Sequence, residues 1–304
     1  MTAATEAWKL VPRRRRLALP ARWRNPVGIV GAVVVGFAIL LAIFGPYLWT
    51  IDPNAPTYTG FLGPSWAHPM GTDNLGRDTF ARIIAGARIS LEIGFASVAI
   101  ALVFGGIIGV LSGFHKRFVD LFLMRVVDIL FAIPGLILAF VVVGLLGPSE
   151  MNEIIAIGII ILPALARVTR AATLEVTGHP YIESARALGS QNTRVMRRHV
   201  VPNIMAPLIV LTSLYISQAI IAEATLSFLG LGTQPPAAAW GSMLAVARGF
   251  IDESVWMSIF PGLAIMIVVL GFNFLGDGLR DVLDPRIGSD LGSAALSGRK
   301  GADA

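Results

Sequence analysis

The sequence contains no cysteine and few charged residues. Of its 304 residues only 14% are Asp, Glu, Lys or Arg, whereas soluble domains carry about 25%. The absence of cysteine excludes disulfide bonds, iron–sulfur clusters and zinc sites built on thiolates. So few charges cannot cover the surface of a soluble globule of this length. The composition therefore also excludes an ordinary cytosolic enzyme, a disordered chain and a coiled coil.

Motifs for catalysis are missing as well. The sequence has no H-E-x-x-H motif, no G-x-S-x-G nucleophile elbow and no G-x-x-x-x-G-K-[ST] phosphate loop. We therefore predict that the chain is not an enzyme and binds neither a metal nor ATP by itself. The predicted spans contain no pair of carboxylates, which argues against a proton-relay pump. The four histidines lie in separate loops and cannot converge on a metal; they are His68, His115, His179 and His199.

Apolar residues make up 55% of the chain, and the mean hydropathy is +0.73. An α-helix needs about 20 apolar residues to cross a hydrocarbon core about 30 Å thick. The third candidate span contains Pro134, and the fourth is short because Arg167 and Arg170 follow it. We expect both arginines to lie at the cytoplasmic end, where their side chains can reach the headgroups. The six candidate spans cover residues 27–49, 89–113, 129–147, 154–166, 203–222 and 255–276.

The distribution of Lys and Arg predicts how these spans are oriented. Twenty of the 24 lie in the two tails and in the loops after the second and fourth spans, and four lie on the opposite side. Positive charge accumulates on the cytoplasmic side of membranes. We therefore predict an all-α polytopic membrane protein with six transmembrane helices and both termini in the cytoplasm. The four arginines at 13–16 are assigned to topology and to contact with the lipid bilayer, not to nucleic acid.

This topology divides the chain without any soluble domain. The core contains a cytoplasmic loop at 178–202 and a second extracytoplasmic segment at 223–254. The successive parts are a cytoplasmic tail at 1–26, a first transmembrane helix at 27–49, an extracytoplasmic segment at 50–88, a five-helix core at 89–278 and a cytoplasmic tail at 279–304.

Small residues repeat every four positions along the second span. Residues at this spacing share one helix face, and small side chains there let another helix approach closely. We interpret the stripe as a helix-packing surface, either in a bundle that moves or in a static one. Its members are Ser97, Ala101, Gly105, Gly109 and Gly113.

The cytoplasmic loop at 178–202 has the pattern of two short helices joined by a turn. Pro180 suits a first helical turn, and Gly189 suits the left-handed residue that ends a helix. Asn192 can cap a second helix, and Pro202 is expected to separate that helix from the fifth span. One face of the loop lacks bulk, so either a partner protein or only solvent lies against it. The residues of that face are Ala185, Ala187 and Gly189.

The same loop resembles the EAA loop of binding-protein-dependent ABC importer permeases. The family pattern is E-A-A-x3-G-x9-I-x-L-P, and its spacing matches the residues from Glu183 to Gly189 and on to Pro202. Two of the departures conserve size, whereas the histidine puts one contact in doubt. The departures are Ser184, His199 and Val201, where the pattern has alanine, isoleucine and leucine.

Four further segments narrow the resemblance to the DppC/OppC-type subunit of dipeptide, oligopeptide and nickel importers. They lie at 68–78, 86–91, 226–241 and 273–286, and together with the loop they extend the resemblance from about residue 22 to residue 287. Their sequences are HPMGTDNLGRD, GARISL, LSFLGLG-x-x-PP with WG, and NFLGDGLRD-x-x-DPR.

The resemblance implies a type I ABC importer (MetI-like) transmembrane domain in the bacterial plasma membrane. It also implies a homologous second permease, two cytosolic ATPases or one fused ATPase, and an extracytoplasmic solute-binding protein. The chain itself would bind no cofactor, since ATP and Mg²⁺ belong to the partner ATPases. The EAA loop would be the coupling helix that docks on an ATPase. The implied coupling residues are Glu183, Ser184, Ala185, Arg186, Ala187, Leu188, Gly189 and Pro202.

The resemblance implies that the solute is a di- or oligopeptide. Nickel or another small solute or chelate suits the same architecture, because the binding protein selects the cargo. A membrane enzyme or a scaffold for signalling partners is an alternative from another class. Polar residues in the fifth and sixth spans either line a weakly polar path or only bond helices to each other. These residues are Ser213, Ser217, Gln218 and Asn273.

Overall fold

The computed structural model describes residues 25–115 and 117–283. The arginines at 13–16, most of both predicted tails and the DPR sequence at 284–286 lie outside these residues. Within the described ranges the secondary structure is helical, apart from one isolated bridge between Thr72 and Asp78. Five helices are long and apolar enough to cross a membrane, and counting one bent helix pair as a span makes six.

The first helix, α1, covers Pro26–Leu48. It begins there because the Asn25 side chain accepts a hydrogen bond from the N–H of Val27, and because proline suits a first helical turn. One face packs closely on the last helix, since a Cβ placed on Gly28 would lie 2.7 Å from the Cα of Gly278. The opposite face is apolar and exposed, as expected of a helix at the lipid-facing edge of a bundle.

The second helix, α2, covers Thr79–Phe114 and is 36 residues long. The sequence predicted an extracytoplasmic segment up to residue 88 and a span from residue 89, but one helix runs through this boundary. The expected boundary at residue 88 therefore lies inside α2. The helix starts where it does because the Asp78 carboxylate accepts a hydrogen bond from the N–H of Ala81 at 2.8 Å.

The third predicted span is a bent pair of helices. Helix α3 covers Phe118–Ala132, helix α4 covers Gly135–Leu146, and the chain bends by 92° between them. Pro134 causes the break because it lacks an N–H and disfavours helical geometry at Ile133, which is extended at φ −88° and ψ 128°. The proline inside the run at 129–147 therefore divides it instead of being accommodated in one helix.

Helix α5 covers Glu150–Thr177 and continues through Arg167 and Arg170, where the sequence ended the fourth span. Its start is capped by Ser149, whose hydroxyl accepts a hydrogen bond from the N–H of Asn152. The predicted fourth helix is therefore too short, because both arginines have ion-pair partners on α3 and do not end the helix.

After α5 the chain forms an elbow and then a long helix. The predicted separation at Pro202 is wrong, because this proline lies in the first turn of the long helix, where a missing N–H is tolerated. Gln191, one residue earlier than the predicted Asn192, is the N-cap position. The elements are α6 at Pro180–Ala187, α7 at Asn192–Val195, a π-helical turn at Met196–Val200 and α8 at Val201–Phe228.

The remaining elements are α9 at Trp240–Ala247 in the second outer segment, a 3-10 turn at Arg248–Phe250, and the last helix, α10, at Trp256–Leu283. Trp240 attaches this outer segment to the bundle. It is 2% exposed, and its indole N–H donates to the carbonyl oxygen of Ile83 in α2 at 3.1 Å. The main apolar core includes residues of α2, α5, α8 and α10, and a smaller apolar cluster lies beside the elbow.

Candidate functional site

The predicted coupling loop forms an elbow, residues 180–200, that is attached to three spanning helices. Ile182 of α6 is fully buried in an apolar cluster with Val176 of α5 and Ile204 of α8. The guanidinium of Arg186 lies over the ring of Phe114 in α2, 5.1 Å from its centroid. The elbow therefore contacts α2, α5 and α8 through its side chains.

The elbow turns at Gly189, whose backbone φ is +80°. Side chains disfavour this left-handed conformation, and glycine adopts it freely. The N–H of Gly189 donates to the carbonyl oxygen of Arg186 at 2.9 Å, and the N–H of Ser190 donates to that of Ala185 at 3.1 Å. This pair of bonds is a Schellman motif, so it satisfies the last carbonyl groups of α6.

Most of the predicted coupling residues are exposed, on the elbow or, for Pro202, in the first turn of α8. Leu188 is widely open to solvent, with 86% of its surface exposed. Ala185 is partly buried against the elbow's own apolar cluster, so it does not present a free face. Docking on a partner stays a prediction. The exposed residues are Glu183, Ser184, Arg186, Ala187, Leu188, Gly189 and Pro202.

The small-residue stripe of α2 faces α5. A Cβ placed on Gly109 would lie 2.5 Å from the carbonyl oxygen of Ala166, and one on Gly113 would lie 2.7 Å from the Cβ of Thr173. The backbones of the two helices therefore touch along the stripe. All five members, Ser97, Ala101, Gly105, Gly109 and Gly113, are buried.

Two ion pairs join α3 to α5. The guanidinium of Arg170 donates to both carboxylate oxygens of Asp120, each at 2.6 Å. Arg167 donates to one oxygen of Asp128 at 2.7 Å, and its guanidinium lies 4.0 Å from the ring centroid of Phe131. Both arginines therefore have carboxylate partners on α3, and their predicted place at the cytoplasmic end of the span stays a prediction. The sequence signal was present, because an aspartate within an apolar run needs a partner.

The prediction that the spans contain no pair of carboxylates is wrong. Glu153 in the first turn of α5 and Glu223 near the end of α8 are both fully buried. The hydroxyl oxygen of Ser227 lies 3.1 Å from a carboxylate oxygen of Glu223 and 3.4 Å from one of Glu153. The N–H of Thr233 donates to the same hydroxyl oxygen at 3.2 Å, which ties the second outer segment to the pair. Both glutamates were missed because they lie just outside the predicted spans. The span at 154–166 begins one residue after Glu153, and the span at 203–222 ends one residue before Glu223.

The charged residues of the first outer segment hold that segment together. One oxygen of the Asp73 carboxylate accepts a hydrogen bond from the Arg77 guanidinium at 2.6 Å, and the other accepts from the N–H of Leu75. The His68 ring nitrogen Nδ1 lies 3.1 Å from Asp78. All four charged or ionisable residues are buried, so they have a role in folding the loop.

The predicted solute-path residues lie in different environments. Ser213 and Ser217 are buried, and their hydroxyls donate to carbonyl oxygens of α8 and α10 at 2.7 and 3.4 Å. Gln218 is exposed and Asn273 is partly exposed. The Ser217 hydroxyl therefore bonds α8 to α10, whereas the Ser213 hydroxyl bonds within α8. A contribution of these four residues to transport stays a prediction.

A cavity of about 620 Å³ opens beside the elbow, between α5, α8 and α10. Part of its wall is apolar and includes Val210, Leu211 and Leu214 of α8. Polar side chains also line it: Glu175, His179, Tyr181, Asn203, Asp277 and Arg280.

Comparison with known proteins gives matches over nearly the whole chain. Residues 105–289 match the family model described as "binding-protein-dependent transport system inner membrane component", and residues 23–64 match the model "N-terminal TM domain of oligopeptide transport permease C". The dipeptide transport system permease protein DppC of Alkalihalophilus pseudofirmus is 44% identical over 268 residues, which are 88% of each chain. The probable D,D-dipeptide transport system permease protein DdpC of Escherichia coli is 41% identical over 87% of this chain and 89% of its own.

Solved structures with a similar fold are ABC transporters. An inward-facing MetNI methionine ABC transporter chain superposes with a TM-score of 0.57 at 20% identity, covering 68% of this chain and 98% of its own. A chain of an amino acid ABC transporter solved with histidines has a TM-score of 0.53 at 17% identity, covering 66% of this chain and 92% of its own. At these identities the likeness shows a shared fold.

Proposed function

The chain belongs to the family of binding-protein-dependent transport system inner membrane components, and from this membership we propose that it translocates di- and oligopeptides across the membrane. It is a multi-pass inner-membrane permease of the ABC importer class. We propose further that it catalyses no reaction, binds no cofactor and depends on ATPase partners for energy.

Similarity supports peptides as the solute. The relatives from Alkalihalophilus pseudofirmus and Escherichia coli are named as dipeptide or D,D-dipeptide permeases. A relative from Pseudomonas aeruginosa, 43% identical over 86% of this chain and 89% of its own, is named as a di/tripeptide permease. These names favour a peptide over the nickel or chelate alternative.

The elbow is the observation that carries the proposed mechanism. It exposes Glu183, Leu188 and Gly189 outward, while Ile182 and Arg186 attach it to α2, α5 and α8. A cytosolic ATPase that binds this surface and changes conformation would move three spans together. ATP favours one state of such a machine only by binding that state better than the other.

The proposed assembly contains a homologous second permease, two ATPases or one fused ATPase, and an extracytoplasmic solute-binding protein. Both termini and the elbow would then lie in the cytoplasm. The two outer segments would lie on the opposite face, where the binding protein delivers its solute.

Uptake of labelled di- to hexapeptides by a deletion strain, with and without the restored gene, tests the function. We expect uptake to disappear on deletion and to return on complementation. Purification of the tagged chain should bring the ATPases and the second permease with it. Unchanged peptide uptake after deletion, or loss of nickel uptake alone, would contradict the peptide assignment. Purification without any ATPase would contradict the assembly.

A further inference from the structure

Helix α3 exposes two flanks of different character. One flank is apolar and exposed, with Phe118, Phe122, Val126 and Ile129. The other contains Asp128, together with Leu121 and Ala132, and Arg125 lies at the border between the two flanks. In a bilayer an apolar flank lies against acyl chains, so the charged flank is turned away from lipid.

Helix α5 has an exposed stripe that adjoins this charged flank. Its members are Arg167, Ala171 and Glu175, which lie four residues apart on one helix face. The ion pair between Asp128 and Arg167 connects the stripe to α3. The two together form a polar track, defined as Arg125, Asp128, Arg167, Ala171 and Glu175. The track ends at the inner cavity, since Glu175 also lines that cavity.

The centre of the polar track lies level with an uncharged part of α2. Ala166, next to Arg167, contacts Gly109 of α2, and α2 stays uncharged from there to Phe114. At about 1.5 Å per residue, Arg167 is therefore about 7 Å inside the end of that uncharged segment. In the single chain the side chains of Arg167 and Asp128 are nonetheless 42% and 51% exposed. Exposed charges at this depth face water or protein, because lipid excludes them.

We propose that the polar track lines the inner half of the solute path, and that Asp128 and Arg167 bind the charged groups of a passing peptide. The inference rests on the proposed peptide function. A peptide carries a carboxylate and an ammonium group. Arg167 complements the first and Asp128 the second.

The geometry of the Asp128–Arg167 pair suits a transient contact. Arg167 uses one nitrogen to reach one oxygen of Asp128, so other donors of the guanidinium remain for a second anion. When the peptide leaves, the two residues pair again, so neither charge stays uncompensated. One turn further along α5, Ala171 is exposed and has a small side chain.

The neighbouring Asp120–Arg170 pair is a matched control on the same two helices. Arg170 contacts both oxygens of Asp120, and the exposed fractions are lower, at 34% and 22%. The hydroxyl of Ser112 also donates to Asp120. Both oxygens of Asp120 therefore already have partners, so this pair is less free to bind a peptide. We assign it only to joining α3 and α5.

Transport of charged dipeptides tests the proposal in the reconstituted complex with its binding protein saturated. The rates for Ala-Asp and Ala-Lys are compared as a ratio, per ATP hydrolysed. Arg167→Gln leaves the negative charge of Asp128 unpaired. We therefore expect the ratio of the Ala-Asp rate to the Ala-Lys rate to fall by about fivefold. Asp128→Asn leaves the positive Arg167 alone, so the ratio should shift by a similar factor in the opposite direction. Arg170→Gln and Asp120→Asn should leave the ratio at the wild-type value.

The outcomes separate the possible failures. If wild-type complex imports neither dipeptide, the proposed function fails. If it imports both and neither Arg167→Gln nor Asp128→Asn shifts the ratio, the pair is structural and the present inference alone is wrong. If Arg170→Gln and Asp120→Asn shift the ratio as much as Arg167→Gln and Asp128→Asn do, the inference is also wrong.

Single-cysteine labelling tests the track where a charge variant fails to fold, and the natural chain has no cysteine to interfere. In the assembled complex, Ala171→Cys should react with a charged, membrane-impermeant thiol reagent, and a transported dipeptide should slow the reaction. Ile129→Cys, on the apolar flank of α3, should not react. A contrary result is also possible: Ala171→Cys reacts in the chain alone but not in the peptide-free complex. The second permease would then cover the track, and the proposal would be overturned.

Discussion

Glycines of this chain are constrained either by backbone angle or by contact, and the two constraints can be separated. A Cβ on Gly189 would meet nothing within 4 Å, so only its φ of +80° demands glycine. Gly232 is the opposite case, because a Cβ there would collide with Ser227 and Glu153. At the first position the tolerated substitutions are those that accept a positive φ, and at the second none fits.

For Gly189 we expect Gly189→Arg to abolish peptide uptake while the protein still inserts in the membrane. Arginine is strained at positive φ by about 1–2 kcal/mol and adds bulk to the exposed surface of the elbow. Gly189→Asn is the matched control, because asparagine tolerates this conformation and is small. Uptake and co-purification of the ATPases measure the effect. Wild-type uptake by Gly189→Arg would contradict a docking role for the elbow.

The hydroxyl of Ser227 is shared by the two buried glutamates and by the second outer segment. We expect Ser227→Ala to lower the free energy of unfolding by about 1–3 kcal/mol, because it leaves buried polar groups without a partner. Thermal unfolding of the purified protein in detergent measures this. Ser184→Ala, at an exposed hydroxyl that bonds only within α6, should change stability by less than about 0.5 kcal/mol. Equal effects of the two variants would argue against a structural role for the shared hydroxyl.

At the scale of whole helices, the small residues of the stripe allow α2 and α5 to pack backbone against backbone. The two backbones approach so closely at Gly105, Gly109 and Gly113 that no larger side chain fits. Gly106 lies on another face of α2, and a Cβ there meets nothing within 4 Å. Glycine is therefore required by packing on one face only.

This difference predicts opposite results for two neighbouring glycines. Gly109→Leu should destabilise the protein by about 1–3 kcal/mol or prevent its folding, because the side chain must enter the α2–α5 contact. Gly106→Leu adds the same apolar group to an open face and should leave the melting temperature near the wild-type value. Melting temperature and yield in detergent compare them. Equal loss in both variants would contradict the assigned packing.

The ends of the helices were harder to predict than their existence. Residues 27–49 correspond to α1 within one residue, because Asn25 and Pro26 are strong local start signals. Residues 154–166 were too short a prediction for α5, because the partners of Arg167 and Arg170 are aspartates far away in the sequence. Local patterns locate an apolar run, but they do not reveal whether a charge at its end is paired.

For the whole molecule, the orientation in the membrane follows from charge and not from contacts. Positive residues near the spans are retained on the cytoplasmic side, whereas the contacts between helices are the same in either orientation. The elbow, the inner cavity and the two ion pairs would all lie toward the cytoplasm in the predicted orientation.

A reporter fused after residue 304 tests this orientation. We expect a fluorescent reporter that folds only in the cytoplasm to be active, and a periplasmic phosphatase at the same position to be inactive. The same pair of reporters placed in the first outer segment, after residue 60, should give the reverse result. An active phosphatase at the C-terminus would show that the predicted topology is inverted.

The sequence by itself determined the class of the protein, its apolar helices and the turn of the elbow, because these depend on composition and on residues close together in the chain. It also carried the motifs of the family. Only the tertiary structure decided which charges meet, since packing brings Asp128 to Arg167 and Glu153 to Glu223 across long separations in sequence. The packing also decides which exposed face of a helix is polar. For that reason the polar track exists only where α3 and α5 pack side by side.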